Sequence, residues 1–313
     1  ADRITALAAT HIVTDSFTQR DFLIREQVIS KEKLNDLINL GTGAIEIKSG
    51  YGLSLQGELK ILRTIKRLKE TFNINIKSTF LGAHAIPLKY KNNRKKYLDL
   101  LINEMLPAIY EEKLADYIDV FCETNYFNVD ELDMILEAGA KYNLKPKVHV
   151  NQFTSIGGIQ KAVEYNAVSV DHLEVMEKND YKCLKNSKTI ATLLPSCSFF
   201  IGIPYAPAKK LIKENIPFAL ASDLNPGSSP NGNMNLVNSL ACIKMKISPE
   251  TAINASTING AYAMEISNIT GSITKGKQAN LIITKPIDSY SYLAYSFGEN
   301  CISKTMIKGK WTK

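Results

Sequence analysis

The sequence predicts an α/β fold: a (β/α)8 barrel whose first strand is missing or not recognisable, followed by part of a small β unit. Three observations predict it. Short β-branched apolar runs alternate with runs of helical period from residue 43 to residue 245, which is the pattern of βαβ units and a parallel sheet. Seven such strands can be counted, near residues 46, 78, 119, 148, 169, 191 and 219. Several of them end in His or Asp. A polar residue at the end of a buried strand is costly unless something satisfies it, and barrels of this kind build their sites at the C-terminal strand ends.

Residues 1–40 are a segment without a firm assignment, apart from a helix predicted from the Ser30 cap through Leu34, Leu37, Ile38 and Leu40 to Gly41. Ala44 to Lys48 reads as the first recognisable strand, ended by Ser49-Gly50-Tyr51-Gly52. Leu55, Leu59, Leu62, Ile65 and Leu68 then recur at helical spacing. Ile74 to Leu81 is a strand before Gly82-Ala83-His84-Ala85, and Tyr97 to Glu112 a helix kinked at Pro107. Strands follow at 117–122, 146–150, 167–171, 189–194 and 217–221, alternating with helices at 129–142, 156–165, 180–184, 206–214 and 233–245. Ser248-Pro249-Glu250 opens a further helix, with Ser as cap and Pro in the first turn, and another short helix runs to Ile266. Residues 41–266 are therefore the barrel. Residues 267–313 have strand composition, around Gly271-Ser272-Ile273, Leu281 to Ile283 and Thr305 to Lys310, and form part of the small β unit.

Composition narrows the function. With 45% hydrophobic and 22% charged residues the chain is an ordinary globular protein. No apolar run approaches the ~20 residues of a membrane helix, so no membrane partner is expected. The net charge is +7, but the lysines are scattered and no basic stripe is interleaved with aromatics, so no nucleic-acid partner is expected either. A basic protein suits an anionic small-molecule substrate. The five cysteines are far apart and odd in number, without a CxxC pair, which fits a reducing cytoplasm rather than a disulfide scaffold or a thiolate zinc site.

Chemistry concentrates at the strand ends. There are four histidines, and His84, His149 and His172 each follow or close a predicted strand, with Asp223 at the end of the last one; His11 lies in the unassigned segment. His149 and Asp223 are the best metal ligands. Imidazole and carboxylate suit a zinc-like or iron-like ion, which lowers the pKa of a bound water. His172, with Asp171 and Glu174 near, can act as acid or base. The glycines around Tyr51 permit a tight turn that holds its ring over the barrel mouth, and they lack phosphate-loop spacing. Asn225-Pro226-Gly227-Ser228-Ser229 offers amide and hydroxyl donors for a carboxylate or carbonyl.

These residues together resemble the imidazolonepropionase family of the amidohydrolase superfamily. The matching stretches are Glu46 to Leu53, Thr79 to Ala85, Asp119 to Glu123, His149-Val150-Asn151-Gln152, Asp171 to Glu174, Leu193-Leu194-Pro195, Ser222 to Gly227 and Gly276 to Leu281. The resemblance covers roughly residue 41 to the end. It implies hydrolysis of the cyclic amide of 4-imidazolone-5-propanoate to N-formimidoyl-L-glutamate, with one divalent or trivalent metal ion, zinc or iron. His149 and Asp223 would hold the metal. Tyr51, His84, Gln152, Asn225, Gly227 and Ser228 would contact substrate or product, and His172, Asp223 and Gln152 would form the catalytic set. Gln152 stands where family members carry Glu or Gln; an amide can orient but not accept a proton as a base, which leaves proton transfer to His172 or Asp223. The family also suggests a homodimer.

The chain departs from the pattern in two respects. The superfamily carries a His-x-His pair on its first barrel strand, and no His-x-His occurs here. The family's substrate-carboxylate arginine has no counterpart that can be placed. The expectation is a fragment lacking the first quarter of the enzyme, with weak metal binding and an open seam in the barrel. The competing expectations are a non-catalytic amidohydrolase-like barrel and a related cyclic amidohydrolase or deaminase.

Overall fold

The computed structural model describes residues 31–312. The Ser30 cap, His11 and the rest of residues 1–30 lie outside the described residues. A helix over 31–39 is closed by Gly41, whose φ is +89°, a backbone conformation that suits glycine.

Seven parallel strands follow in sequence order: β1 (Ala44–Lys48), β2 (Asn75–Ala83), β3 (Tyr117–Cys122), β4 (Lys145–Val150), β5 (Ser169–His172), β6 (Ile190–Leu193) and β7 (Phe218–Leu220). Each pairs in parallel with its neighbours, with one register shift between β2 and β3 at Phe80–Ala83, and β1 and β7 are the two edges of the sheet among the described residues. The sheet is curled, and side chains prove it. Lys48 on β1 reaches Asp171 on β5 at 2.9 Å. In a flat sheet strands four places apart are separated by about 19 Å, at ~4.8 Å per strand, beyond the reach of one lysine. The seven-stranded part of a β/α barrel expected from the sequence is thus the fold found.

Helices cover the outer face because their apolar residues recur at helical spacing. The helix Leu55–Thr71 buries Leu59, Leu62, Ile65 and Leu68. The helix Val129–Lys141 starts at an Asn128–Glu131 capping box and buries Leu132, Ile135 and Leu136. They pack on outward-facing strand residues such as Val120, Val148 and Val170, all fully buried. Each such aliphatic side chain contributes roughly 1.5–3 kcal/mol. The inner face of the strands is different: it carries Glu46, Lys48, Asp119, Lys147, His149 and Asp171.

Three local features depart from the sequence reading. The helix ending at Glu111 runs from Arg94 through a π turn at Leu101–Met105, directly before Pro107, which has no N–H to continue the regular ladder. A helix at Pro195–Ile201 is additional; Phe199 and Phe200 are exposed and its Ser and Cys residues are indifferent helix formers, so no apolar period announces it. Gly271-Ser272-Ile273 is irregular rather than strand. The small antiparallel sheet consists instead of β8 (Leu281–Thr284), β9 (Ile302–Ile307) and β10 (Lys310–Trp311). It sits at the N-terminal ends of the first strands, through Asn280 Nδ2 donating to Gly43 O and Asn75 Nδ2 to Gln278 Oε1. No helix among the described residues is long and apolar enough to cross a membrane.

Candidate active site

The C-terminal ends of the strands carry three imidazoles in a row. The His84 and His149 ring centroids are 6.5 Å apart, and those of His149 and His172 are 5.3 Å apart. Tyr51 meets His84 edge-on at 5.1 Å. Asp223, just beyond β7, is close enough to favour the charged forms of His84 and His172. Several of these positions have backbones in the left-handed region: φ is +88° at His172, +48° at Asp223 and +55° at Asn151. Such conformations cost of order 1–3 kcal/mol each, and they cluster at functional sites because the chain must turn there to aim a side chain.

His84 is set by the glycine turn. Its Nδ1 lies 3.0 Å from Gly50 O. A carbonyl only accepts, so Nδ1 carries the proton and Nε2 offers its lone pair to the mouth of the barrel. Burial, and then the neighbouring His149, hold this ring below the usual histidine range, so it stays neutral. Gly50 has φ +105°, and a Cβ there would stand 2.6 Å from Leu81 O. The turn is clamped by Glu58, whose carboxylate accepts from Gly50 N and Leu53 N, both at 2.9 Å, from inside the protein. Burial pushes the Glu58 carboxyl up.

His149 points into the barrel from β4. Its Nδ1 lies 2.9 Å from Asp119 Oδ2, although the approach is too bent for a hydrogen bond, and its backbone N–H donates to Asp119 Oδ1. Asp119 is fully buried; His149 and Lys48 outweigh the desolvation that opposes its charge and hold its carboxyl below the usual range. With Nδ1 facing Asp119, Nε2 faces the mouth, where histidine ligands are oriented by such carboxylates.

His172 closes β5. Burial opposes its charge, but Cys197 and Glu174 together more than compensate, and the ring is raised well above the usual range. Its Nδ1 is 3.6 Å from Glu174 Oε2, an ion-pair distance beyond a hydrogen bond. Glu174 in turn accepts from Ser198 Oγ at 2.9 Å, and Gln152 Nε2 reaches Cys197 Sγ at 3.5 Å. The helix Pro195–Ile201 therefore positions His172 and Gln152 together.

The loop after β7 is organised by Asn225. Its Oδ1 accepts from Gly227 N, at 2.9 Å, and Ser228 N, at 2.7 Å, while its Nδ2 donates to Asp223 O and Ser228 Oγ. These amides are thus engaged within the loop, and the Ser228 hydroxyl joins them, 3.4 Å from Asp223 Oδ2.

The structure brings Tyr51, His84, His149, Gln152, His172 and the Asp223–Ser228 loop to one rim. As a metal centre it is not fully assembled. Among the described residues the one group whose donor atoms all lie within 4.8 Å of one another is Asp119, His149 and Asp171. Asp223 and His172 stand outside it. The donor types nevertheless fit a cation: Nδ1 of His149 and of His172, buried and without a hydrogen bond, face Asp119 and Glu174, which leaves Nε2 of His149 as the lone pair toward the mouth where Asp223 stands.

Sequence reasoning missed the supporting residues. Glu46, Lys48, Asp119 and Lys147 are inward-facing, and the signal was there: charges two apart within apolar strands, Glu46-x-Lys48 and Lys147-x-His149, have the period of one strand face. Glu58 and Glu123 carried no such signal. Glu123 accepts from Thr124 N, Phe153 N and Thr154 N and so ties the loop after β3 to the loop that carries Gln152.

A curled parallel sheet with His and Asp at its C-terminal rim defines a hydrolase-type barrel, and the comparisons with known proteins agree. Residues 63–312 match the model of the Amidohydrolase family, and the chain belongs to that family. Its relatives within the family are imidazolonepropionases. That of Flavobacterium johnsoniae is 59% identical over 281 residues, covering 90% of this chain and 68% of that protein. That of Christiangramia forsetii is 54% identical over 318 residues, covering 99% and 77%. Among solved structures, an adenosine deaminase from Xanthomonas campestris with bound zinc superposes with a TM-score of 0.71 at 14% identity, over 99% of this chain and 75% of that one. E. coli guanine deaminase gives 0.73 at 12%, over 93% and 76%. At that identity they share the fold.

Proposed function

We infer that this chain, like the imidazolonepropionases it matches, opens the five-membered ring of 4-imidazolone-5-propanoate by hydrolysis. The reading is supported above all by the 54–60% identity to those enzymes across nearly the whole chain, together with the imidazole row at the rim. The catalytic barrel is residues 41–266, and residues 267–313 belong to the smaller β unit.

His149 Nε2 and the Asp223 carboxylate would hold the metal ion, zinc or iron. When bound, such an ion supplies a Lewis acid that lowers the pKa of water and polarises the ring carbonyl. The chain's own residues do the rest. Asp119 fixes the His149 ring. His84, neutral and with Nε2 as acceptor, takes a ring N–H of the substrate, while Tyr51 and Ser228 border the same mouth, with Asn225 and Gly227 shaping the loop. Water adds its oxygen to the ring carbonyl carbon, the C–N bond breaks, and the oxygen remains in the new carboxylate. Asp223 takes the proton that leaves water, His172 gives its own proton to the released nitrogen, and transfer from Asp223 to His172 restores both groups. Charged His172 suits the delivery step, and Gln152 orients the attacked group without exchanging a proton. The substrate is a small anion, the working unit a homodimer and the compartment the cytoplasm.

The non-catalytic barrel is not favoured, because relatives that it matches at 54–60% identity carry an enzyme's name. Incubation with imidazolone propionate, followed by detection of N-formimidoyl-glutamate, tests the reading. Ring opening that depends on His172 supports it. Turnover of other cyclic amides with none of this substrate overturns it.

A further inference from the structure

The barrel interior below the imidazoles holds a second feature, built partly on Asp119 and His149, whose central lysine the reaction does not use. Lys48 Nζ stands among three carboxylates: Asp119 Oδ2 at 2.7 Å, Asp171 Oδ2 at 2.9 Å and Glu46 Oε1 at 3.2 Å. Two of those carboxylates, with His149, are the group whose donor atoms lie within 4.8 Å of one another. His149 Nδ1, on a side chain only 10% exposed, is aimed at the same place, 2.9 Å from Asp119 Oδ2 but without a hydrogen bond. In donor type and spacing this is a divalent-cation site, and it is already filled by an ammonium group.

We propose that Lys48 is the resident cation of a second cation site formed by Asp119, Asp171, Glu46 and His149, and that it limits this centre to a single metal ion at the rim.

The charges explain why it must be filled. Leaving His149 out of the count, the cluster has the three carboxylates of Glu46, Asp119 and Asp171 against the two ammonium groups of Lys48 and Lys147, the second bonded to Glu46. Buried charge survives only when paired. With Lys48 in place one negative charge is uncompensated; without it there are two, the charge a divalent ion brings. Lys48 can occupy the site because β1 curls round to face β3 and β5, which lets one ammonium bridge strands that are distant in the sheet order. The carboxylate oxygens stand 2.7–3.2 Å from its nitrogen. Contraction by about 0.6 Å would bring them within the ~2.0–2.6 Å that hard divalent cations require. Lys48 is thus a positioning residue, since it holds Asp119 against His149 and touches no reacting atom.

The test is equilibrium dialysis of the protein against Mn2+, an ion suited to oxygen ligands, with circular dichroism to report folding. Lys48→Met is expected to gain about one equivalent of Mn2+ per chain over the native protein, and the further change Asp171→Asn is expected to remove the gain. A folded Lys48→Met protein that binds no more Mn2+ than the native one overturns the proposal. The native background gives an independent measurement should Lys48→Met fail to fold. Asp171→Asn alone is expected to leave the Mn2+ stoichiometry unchanged, because an ammonium and not a metal occupies the site; loss of an equivalent overturns the proposal. Both readouts are differences between variants, so they stand whether or not His149 and Asp223 hold the rim metal.

Discussion

The geometry of single residues decides what this rim can bind. Gly50 and Glu58 illustrate it. The carbonyl of Gly50 selects the His84 tautomer, and the Glu58 carboxylate fixes the turn that carries that carbonyl. Glu58→Ala leaves two amide donors without an acceptor, and is expected to destabilise the fold by about 2 to 4 kcal/mol, read by urea unfolding. It is also expected to raise KM more than it lowers kcat, because His84 loses its orientation. An unchanged unfolding midpoint would show that water replaces the clamp at no cost. Gly50→Ala places a methyl group against Leu81 O in a left-handed backbone, and a loss of about 1 to 3 kcal/mol follows from the strain alone. The strand-end residues His84, His149, His172 and Asp223 were legible in the sequence, since a polar group closing an apolar run stands out. Glu58 was not. It sits on a helix as an ordinary glutamate, and only the packing of that helix under the turn gives it a role.

At the scale of elements, the order of strands and helices was readable because each apolar run has a period and each turn a glycine or proline. What was not readable was whatever broke the period. The helix Pro195–Ile201 shows two exposed phenylalanines and carries Cys197 beneath His172. The π turn before Pro107 is a backbone answer to a missing donor. Elements also join through titratable groups. Asp116, at the entry to β3, accepts from Ser78 N on β2 and from Lys69 Nζ on the covering helix, at 2.8 and 2.7 Å. Half-burial opposes its charge, but these partners hold its carboxyl below the usual range. A carboxyl depressed in the folded chain stabilises above its unfolded pKa of about 3.9 and loses that contribution as pH falls through the folded value. Stability is therefore expected to fall as pH drops below about 4, and Asp116→Asn to flatten the drop. A variant with the same pH slope as the native protein would remove Asp116 from the account.

The whole molecule is a sheet curled far enough to place its first and fifth strands in contact through Lys48. That curl gathers residues from β1 to β7 at one rim, and the β/α alternation in the sequence was enough to anticipate it. The sequence could not say which inward charges pair with which, because those contacts depend on curvature and not on spacing along the chain. Nor did the row of imidazoles follow from spacing alone; His84, His149 and His172 come from three separate strands. The charged interior beneath them holds His149 in place, and the loops bring Asp223 and Ser228 across from the far edge. The most direct test of this centre is the bound-metal content and the turnover of imidazolone propionate, measured side by side for the native protein and for His149→Ala. Loss of the metal together with a fall in kcat of about a hundredfold or more is the predicted result. Turnover at the native rate by folded, metal-free His149→Ala protein would contradict it.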